Sequence, residues 1–225
     1  MERKIITTLD GSTTILLVDW EECYHSKNGA IQEAYHVFIK NGLNLIKDKS
    51  VAILEVGFGT GLNALVTLLE ASKNNLNIHY TGVEAYPVSL EEALAMNYAT
   101  QLNIDNADFI ALHECEWEQS NVISPSFELT KRQQFFNQIN DVNQFDLIYF
   151  DAFGYQCQPE LWSTEIFQKM FTALKEEGVL VTYAARGAVK RSMKEVGFTV
   201  VKVEGPPGKR EMMIAFKKIN NLREL

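Results

Sequence analysis

Cysteine is scarce in this sequence of 225 residues, and the three present, Cys23, Cys115 and Cys157, form no Cys-x-x-Cys pair. An odd count without paired spacing argues against a disulfide framework or a zinc knuckle and suits a reducing compartment. His113 and Cys115 are close in sequence, but a structural metal site usually needs four ligands, so no metal is expected. No apolar run approaches the roughly 20 residues that span a bilayer. The polar opening from Met1 to Asp10 lacks the basic-then-apolar order of a signal peptide. These absences point to a soluble, cytoplasmic protein. Positive charge is also in deficit: 21 Lys and Arg against 29 Asp and Glu give a formal net charge of -8. Such a chain has no general attraction for nucleic acid. The deficit is uneven, however. Between Arg186 and Arg210, seven cations are opposed only by Glu195 and Glu204. That pattern fits a local basic face or, more plainly, a solvated helix and loop.

What the chain does have is apolar content, 46% of its residues, and length enough for one domain with a full core. Residues 4–20 read as two strands about the turn signal Asp10-Gly11, followed by a helix from about Gly29 to Lys40. Then strands and helices alternate. Val51–Val56 is a continuous apolar strand, Thr60–Ser72 a helix and Ile78–Glu84 a strand. Pro87 suits the first turn of a second helix, and Asp108–His113 reads as a third strand. Phe145–Asp151 is a fourth, Glu160–Leu174 a helix stopped by Gly178, and Val179–Ala184 a fifth strand. Gly187–Val196 is helical, and Phe198–Val203 and Met212–Lys217 are strands.

Alternation of this kind predicts an α/β fold, a mostly parallel seven-stranded sheet covered on both faces. The last two strands are separated by too few residues for a parallel crossover, so they should form a late antiparallel hairpin. That is the Rossmann-like class I methyltransferase pattern, here with an N-terminal hairpin added. One domain is expected over 1–225, with 1–45 as an N-terminal extension and 117–144, polar and poorly patterned, as an insertion on the substrate side.

The central motif is Glu55-Val56-Gly57-Phe58-Gly59-Thr60-Gly61, which follows a buried strand and opens a helix. Glycines let the turn tighten and let backbone N–H groups approach a ligand, and a helix start favours an anion. The third glycine comes one residue too early for the dinucleotide fingerprint, and no Walker lysine follows, since Leu62 and Asn63 come next. Glu55 would oppose a pyrophosphate but suits a ligand bearing an ammonium. S-adenosylmethionine carries an ammonium, a sulfonium and a carboxylate. Glu84 ends the next strand about 20 residues on, where an acid accepts ribose hydroxyls. Asp108 could approach the adenine edge, while His113 could equally be a satisfied core histidine. Asp151 ends strand four, at the sheet end where ligands bind, and so lies near the transferable methyl. A carboxylate there can orient an acceptor amine and take its proton. Phe153 and Tyr155 could stack on a base or simply pack.

As a set, several segments resemble the MnmC-like methyltransferases. They are Tyr24-His25-Ser26 with Asn28-Gly29-Ala30 and Glu33; Leu54 to Asn63 across the glycine loop; Asp151-Ala152-Phe153 with Pro159-Glu160-Leu161-Trp162-Ser163; Glu195-Val196-Gly197-Phe198; and Gly208-Lys209-Arg210-Glu211-Met212. They run in order over most of the chain. The resemblance implies N-methylation of the 5-aminomethyl group of (2-thio)uridine at the tRNA wobble position. It also implies the monofunctional form without the FAD oxidase domain, so that a separate partner protein would supply the aminomethyl or oxidase step. By position, it implies that Glu55, Gly57, Phe58, Gly59, Thr60, Gly61, Asn63, Glu84 and Asp108 bind cofactor and that Asp151 faces the amine. Tyr24, His25, Ser26, Phe153 and Tyr155 would line the substrate side, and Lys190, Arg191, Lys209 and Arg210 would meet tRNA phosphates. Ala152 replaces a frequent glycine, and Arg186 stands where a small residue is common. A small-molecule methyltransferase, an aminopropyltransferase-like enzyme and a non-catalytic cofactor-binding protein are the other readings of these residues.

Overall fold

The turn at Asp10-Gly11 explains how the chain begins. In the computed structural model, which describes residues 2–218, Gly11 has φ +85°, and Asp10 Oδ1 accepts from Thr8 Oγ1 at 2.7 Å and from Ser12 N at 3.0 Å. Strands β1 (Arg3–Thr7) and β2 (Thr13–Leu17) therefore fold back antiparallel, and the short β3 (Glu22–Cys23) completes a three-stranded sheet. Helix α1 (Ala30–Ala34) follows and runs on as a π-helical turn over Tyr35–Lys40.

The main sheet then builds as βα units: β4 (Ser50–Val56), α2 (Leu62–Asn74), β5 (Asn77–Glu84), α3 (Leu90–Leu94), α4 (Tyr98–Leu102) and α5 (Ala107–Glu114). Next come β6 (Ser120–Ser124), β7 (Phe127–Gln133), β8 (Phe145–Phe150), α6 (Thr164–Ala173), β9 (Leu174–Thr182), α7 (Gly187–Glu195), β10 (Thr199–Glu204) and β11 (Glu211–Phe216). Spatial order is β10-β11-β9-β8-β4-β5-β7-β6. The five inner strands from β9 to β7 are parallel, and β6, β10 and β11 are antiparallel to their neighbours. Successive strand residues point to opposite faces. Ile53, Tyr80 and Leu147 pack with α2 and α5 on one side, and Leu54, Val83 and Ile148 pack with α6 and α7 on the other.

The α/β fold, the mostly parallel sheet and both hairpins are as the sequence pattern indicates, with four local differences. Asp108–His113 is helix, not strand: Phe109 and Leu112, three apart, are the buried positions, a helical spacing rather than alternation. The third parallel strand is instead β7, inside the segment 117–144 that reads as an insertion. With β6 added beside it, the sheet has eight strands among the described residues rather than seven. Pro87 precedes the helix it was expected to open; α3 starts at a Ser89–Glu92 capping box. Gly178 lies within β9 rather than stopping α6, which ends at Ala173. Among the described residues, no helix is long and apolar enough to cross a membrane.

Candidate functional site

From β4 the chain moves outward to β5 and β7, then returns to β8 on the other side of β4. The reversal opens a crevice at the carboxyl ends of β4 and β8, where ligands of open α/β sheets sit. Gly57, Gly59 and Gly61 all have positive φ, +98°, +51° and +73°, a region that β-carbon-bearing residues avoid. Gly57 and Phe58 donate their N–H groups to Val83 O at 2.9 and 3.1 Å, which ties the loop to the end of β5. Gly59 N donates to Glu84 Oε2 at 3.0 Å, and Tyr86 N donates to Glu84 Oε1 at 2.9 Å. Glu84 is thus oriented by two backbone groups and keeps lone pairs for hydroxyl donors. The N-cap of α2 is Gly61, and among the described residues no side chain caps that terminus, so its partial positive charge remains available to an anion.

Beneath the loop lies a buried acid network. Asn63 uses its amide Nδ2 to donate to Glu55 Oε1 at 2.9 Å and to Asp151 Oδ2 at 2.8 Å. Glu55 is fully buried and, among the described residues, its Oε2 has no partner. Burial pushes its carboxyl well above the usual carboxylate range; the Asn63 bond opposes this and the charge of Asp151 adds to it. Burial likewise pushes Asp151 up to about 7, helped by the charge of Glu33 and opposed by Asn63 and Lys209. A carboxyl that changes charge near neutral pH suits proton exchange with an amine.

A cavity of about 1210 Å³ opens over these groups, larger than a pocket for one small ligand and able to hold a cofactor and an acceptor together. Of the expected residues, it brings together Gly57, Gly59, Glu84, Asp151, Tyr24, His25, Ser26, Phe153 and Lys209. Glu55, Phe58, Thr60, Gly61 and Asn63 stand behind its wall and support it. Thr60 Oγ1 meets His25 Nε2 at 2.7 Å and Tyr98 OH at 3.0 Å, and its carbonyl accepts from His113 Nε2 at 3.1 Å. Burial lowers both histidines to about 4, so both are neutral at neutral pH. Asp108 lies on α5, outside the cavity wall, because that segment is helical. Tyr155 and Arg210 line a second cavity of about 480 Å³ with Arg186, whose guanidinium lies 5.5 Å from the Tyr155 ring centre. Lys190 and Arg191 are on α7, away from both cavities. Sequence reasoning missed Glu33 as a site group, Tyr183, and the exposed pair Tyr86 and Phe135 at the cavity rim, 64% and 51% exposed. Those two rings meet edge to face with centres 5.9 Å apart, an arrangement able to cover a flat base. The position of Tyr86, two residues past Glu84, was a usable signal.

Comparison with known proteins agrees with this geometry. A family model described as S-adenosyl-L-methionine-dependent methyltransferase matches residues 126–218. The chain is 30% identical over 219 residues to the tRNA 5-methylaminomethyl-2-thiouridine biosynthesis bifunctional protein MnmC of Burkholderia multivorans, covering 89% of this chain and 33% of that protein. To its counterpart from a Marinomonas species, identity is 30% over 212 residues, 87% of this chain and 31% of that protein. The chain therefore spans about a third of the length of these curated relatives. Among solved structures, MnmC2 from Aquifex aeolicus superposes with TM-score 0.79 at 25% identity, covering 96% of this chain and 70% of that one. Spermidine synthase from Thermotoga maritima shares the fold, with TM-score 0.65 at 15% identity over 97% of this chain and 70% of that one.

Fold, glycine loop and family match define an S-adenosylmethionine-dependent methyltransferase. Within that class, the chain is an MnmC-like methyltransferase domain.

Proposed function

We propose that this domain, spanning residues 1–225, methylates the nitrogen of a 5-aminomethyl group on (2-thio)uridine at the wobble position of cytoplasmic tRNA. One observation carries the reading: Asp151 lines an acid-rich cavity directly beside the glycine loop. The wall holds Glu21, Glu22, Glu33, Glu84, Asp151, Glu160 and Glu165 against Arg3, Lys27 and Lys209. Such a wall attracts a cationic acceptor and repels phosphate, so the RNA backbone stays outside, toward Arg186 and Arg210. The names of the curated relatives support a tRNA uridine substituent as that amine.

Bound S-adenosylmethionine supplies the electrophilic methyl group. Glu84 would hold the ribose hydroxyls, the loop Gly57–Gly61 the amino-acid end, and Tyr86 with Phe135 the adenine. An alkyl ammonium titrates near 10 and is no nucleophile until a proton leaves. Asp151 takes up that proton and directs the freed lone pair, while Asn63 keeps the carboxylate aimed into the cavity. Tyr24 and Phe153, whose rings meet edge to face with centres 5.0 Å apart, exclude water from the acceptor side. The deciding experiment incubates the protein with labelled S-adenosylmethionine and tRNA carrying 5-aminomethyl-2-thiouridine. Labelled 5-methylaminomethyl-2-thiouridine is expected on nucleoside analysis; unlabelled nucleoside throughout would exclude this substrate.

The cofactor assignment has its own test. Replacing Glu84 by Ala removes a charged acceptor and frees the N–H of Gly59. Hydrogen bonds to a charged group contribute about 1.5–3 kcal/mol, so calorimetry should find S-adenosylmethionine bound roughly 10- to 100-fold more weakly. Affinity within threefold of the wild type would remove Glu84 from the ribose site.

A further inference from the structure

Lys209 stands where a phosphate ligand was expected, yet its ammonium is already engaged. Nζ lies 2.6 Å from Glu33 Oε1 and 3.8 Å from the centre of the Tyr183 ring. Glu33 is only 7% exposed, and its Oε2 accepts from Ser26 N at 2.8 Å. The pair joins α1 to the β10–β11 loop across 176 residues of sequence. Its approach is built into the backbone: Gly208 has φ +84°, and a Cβ there would fall 2.0 Å from Asn28 Nδ2. Beside it, His36 Nε2 in the turn that continues α1 donates at 2.9 Å to Glu204 O at the end of β10, a second tie between neighbouring parts of the chain.

Glu33, Lys209 and Asp151 line the same cavity, and both members of the pair act on Asp151, the carboxylate of Glu33 raising its proton affinity and the ammonium of Lys209 lowering it. The other groups around Asp151 are fixed. Asn63 of α2 binds Oδ2, with Glu55 of β4 behind it and Tyr80 of β5 beyond. Tyr183, following β9, feels Asp151 and Glu33, and then Glu22 of β3 and Cys157. That phenol is held protonated, mainly by burial, and donates to Ala152 O at 2.8 Å. His25, on the far side of Glu33, is neutral. Glu33 and Lys209 are therefore the two opposed full charges whose balance Asp151 feels.

We propose that Lys209 is a positioning residue: by pairing with Glu33 it fixes the net charge around Asp151, and it does not bind tRNA phosphate. Drawing Lys209 away to a phosphate would leave Glu33 buried without its partner, a costly state. The catalytic meaning of this balance rests on the reading of Asp151 as proton acceptor; the balance itself does not.

Titration of Asp151 tests it directly, followed by NMR on protein labelled at the aspartate carboxyl carbons and assigned by the signal lost in Asp151→Asn. Lys209→Met should raise the midpoint by about one unit and Glu33→Gln should lower it by about one unit. The double variant E33Q/K209M should return close to the wild-type midpoint, and Lys209→Arg should leave it there. Midpoints that stay fixed in both single variants, or move in the same direction, overturn the proposal. If Lys209→Met does not fold, Glu33→Gln alone decides, and a midpoint that fails to fall overturns it. A drop of about 0.9 in the salt slope of tRNA binding in Lys209→Met, the mark of one lost phosphate contact, also overturns it. The titration needs no turnover. If midpoints move as expected while Asp151→Asn still methylates at the wild-type rate, the proton-acceptor reading fails and the pair stands.

Discussion

Replacing Asp151 by Asn should slow methyl transfer by about 10²- to 10⁴-fold, the usual loss of a general base, while making the folded protein more stable at pH 8. The rate effect follows from geometry. Asparagine keeps the shape and can still accept from Asn63 Nδ2, which lies 2.8 Å from Asp151 Oδ2, but it cannot take a proton from an ammonium. S-adenosylmethionine affinity should change little, since Glu84 and the loop are untouched. The stability effect follows from the raised pKa. Asp151 ordinarily titrates at 3.8 and here at about 7. Below pH 4 it is protonated in both folded and unfolded chains, and its contribution to stability is fully present. Between pH 4 and 7 the unfolded chain releases its proton first, so stability is lost as pH rises. Above pH 7 the loss is complete. At about 1.4 kcal/mol per unit the ceiling is on the order of 4 kcal/mol; water in the open cavity screens part of this, leaving an expected gain of about 1–2 kcal/mol. Thermal melting of both proteins from pH 4 to 8 reads it as a gap that opens with pH. Equal turnover by the variant would remove Asp151 as the base. A gap that narrows with pH would mean that Asp151 is stabilised as an anion.

A more stable but inactive variant is the expected signature of a group placed for chemistry against the preference of the fold. Three features maintain that placement. Asn63 bridges Asp151 to a second buried acid, Gly57 lets the loop lie against its backbone, and the Lys209–Glu33 pair sets the local charge. The three come from α2, the glycine loop and the two ends of the chain, so the site depends on nearly the whole fold.

How much of this could be read in advance differs from residue to residue. Val51–Val56 and Phe145–Phe150 were legible as central strands because parallel strands buried on both faces read as continuous apolar runs. The placement of Glu55, Glu84 and Asp151 at strand ends, with the three glycines in the loop beside them, was legible because topology puts the crevice of an open α/β sheet there. β7 was not. It carries Glu128, Thr130, Lys131 and Arg132, and Lys131 is buried in the strand's apolar register. Its ammonium is satisfied by His113 O at 2.7 Å and by the Trp117 ring, partners outside the strand that no alternation pattern reveals. With β7 hidden, the segment of Asp108 reads as the third strand, whereas it forms α5. The pairing of Lys209 was hidden for a related reason. In sequence it belongs to a basic cluster, whereas its partner Glu33 lies in the opposite end of the chain.

The glycine loop yields the other large effect: Gly57→Ala should destabilise the fold and weaken cofactor binding together. Two constraints coincide at this position. Its φ of +98° is strained for any residue with a Cβ, and that Cβ would stand 2.6 Å from the carbonyl oxygen of Asp151. Neither side can yield easily, because Gly57 N donates to Val83 O and Asp151 N donates to Val56 O, both at 2.9 Å. Backbone strain of about 1–2 kcal/mol and overpacking of about 1–3 kcal/mol imply a loss of roughly 2–5 kcal/mol, readable by urea unfolding. Whatever relief occurs must move the loop or the end of β8, and so Glu84 relative to Asp151; S-adenosylmethionine affinity should fall at least about tenfold, since displacement costs one or more charged hydrogen bonds. Gly187→Ala is the control. It lies at the start of α7, where an added Cβ meets only Arg191 Nη1 at an ordinary 3.5 Å, and alanine favours helix, so stability and affinity should hold. If both variants behaved alike, the close contact between the loop and β8 would not be what holds the cofactor.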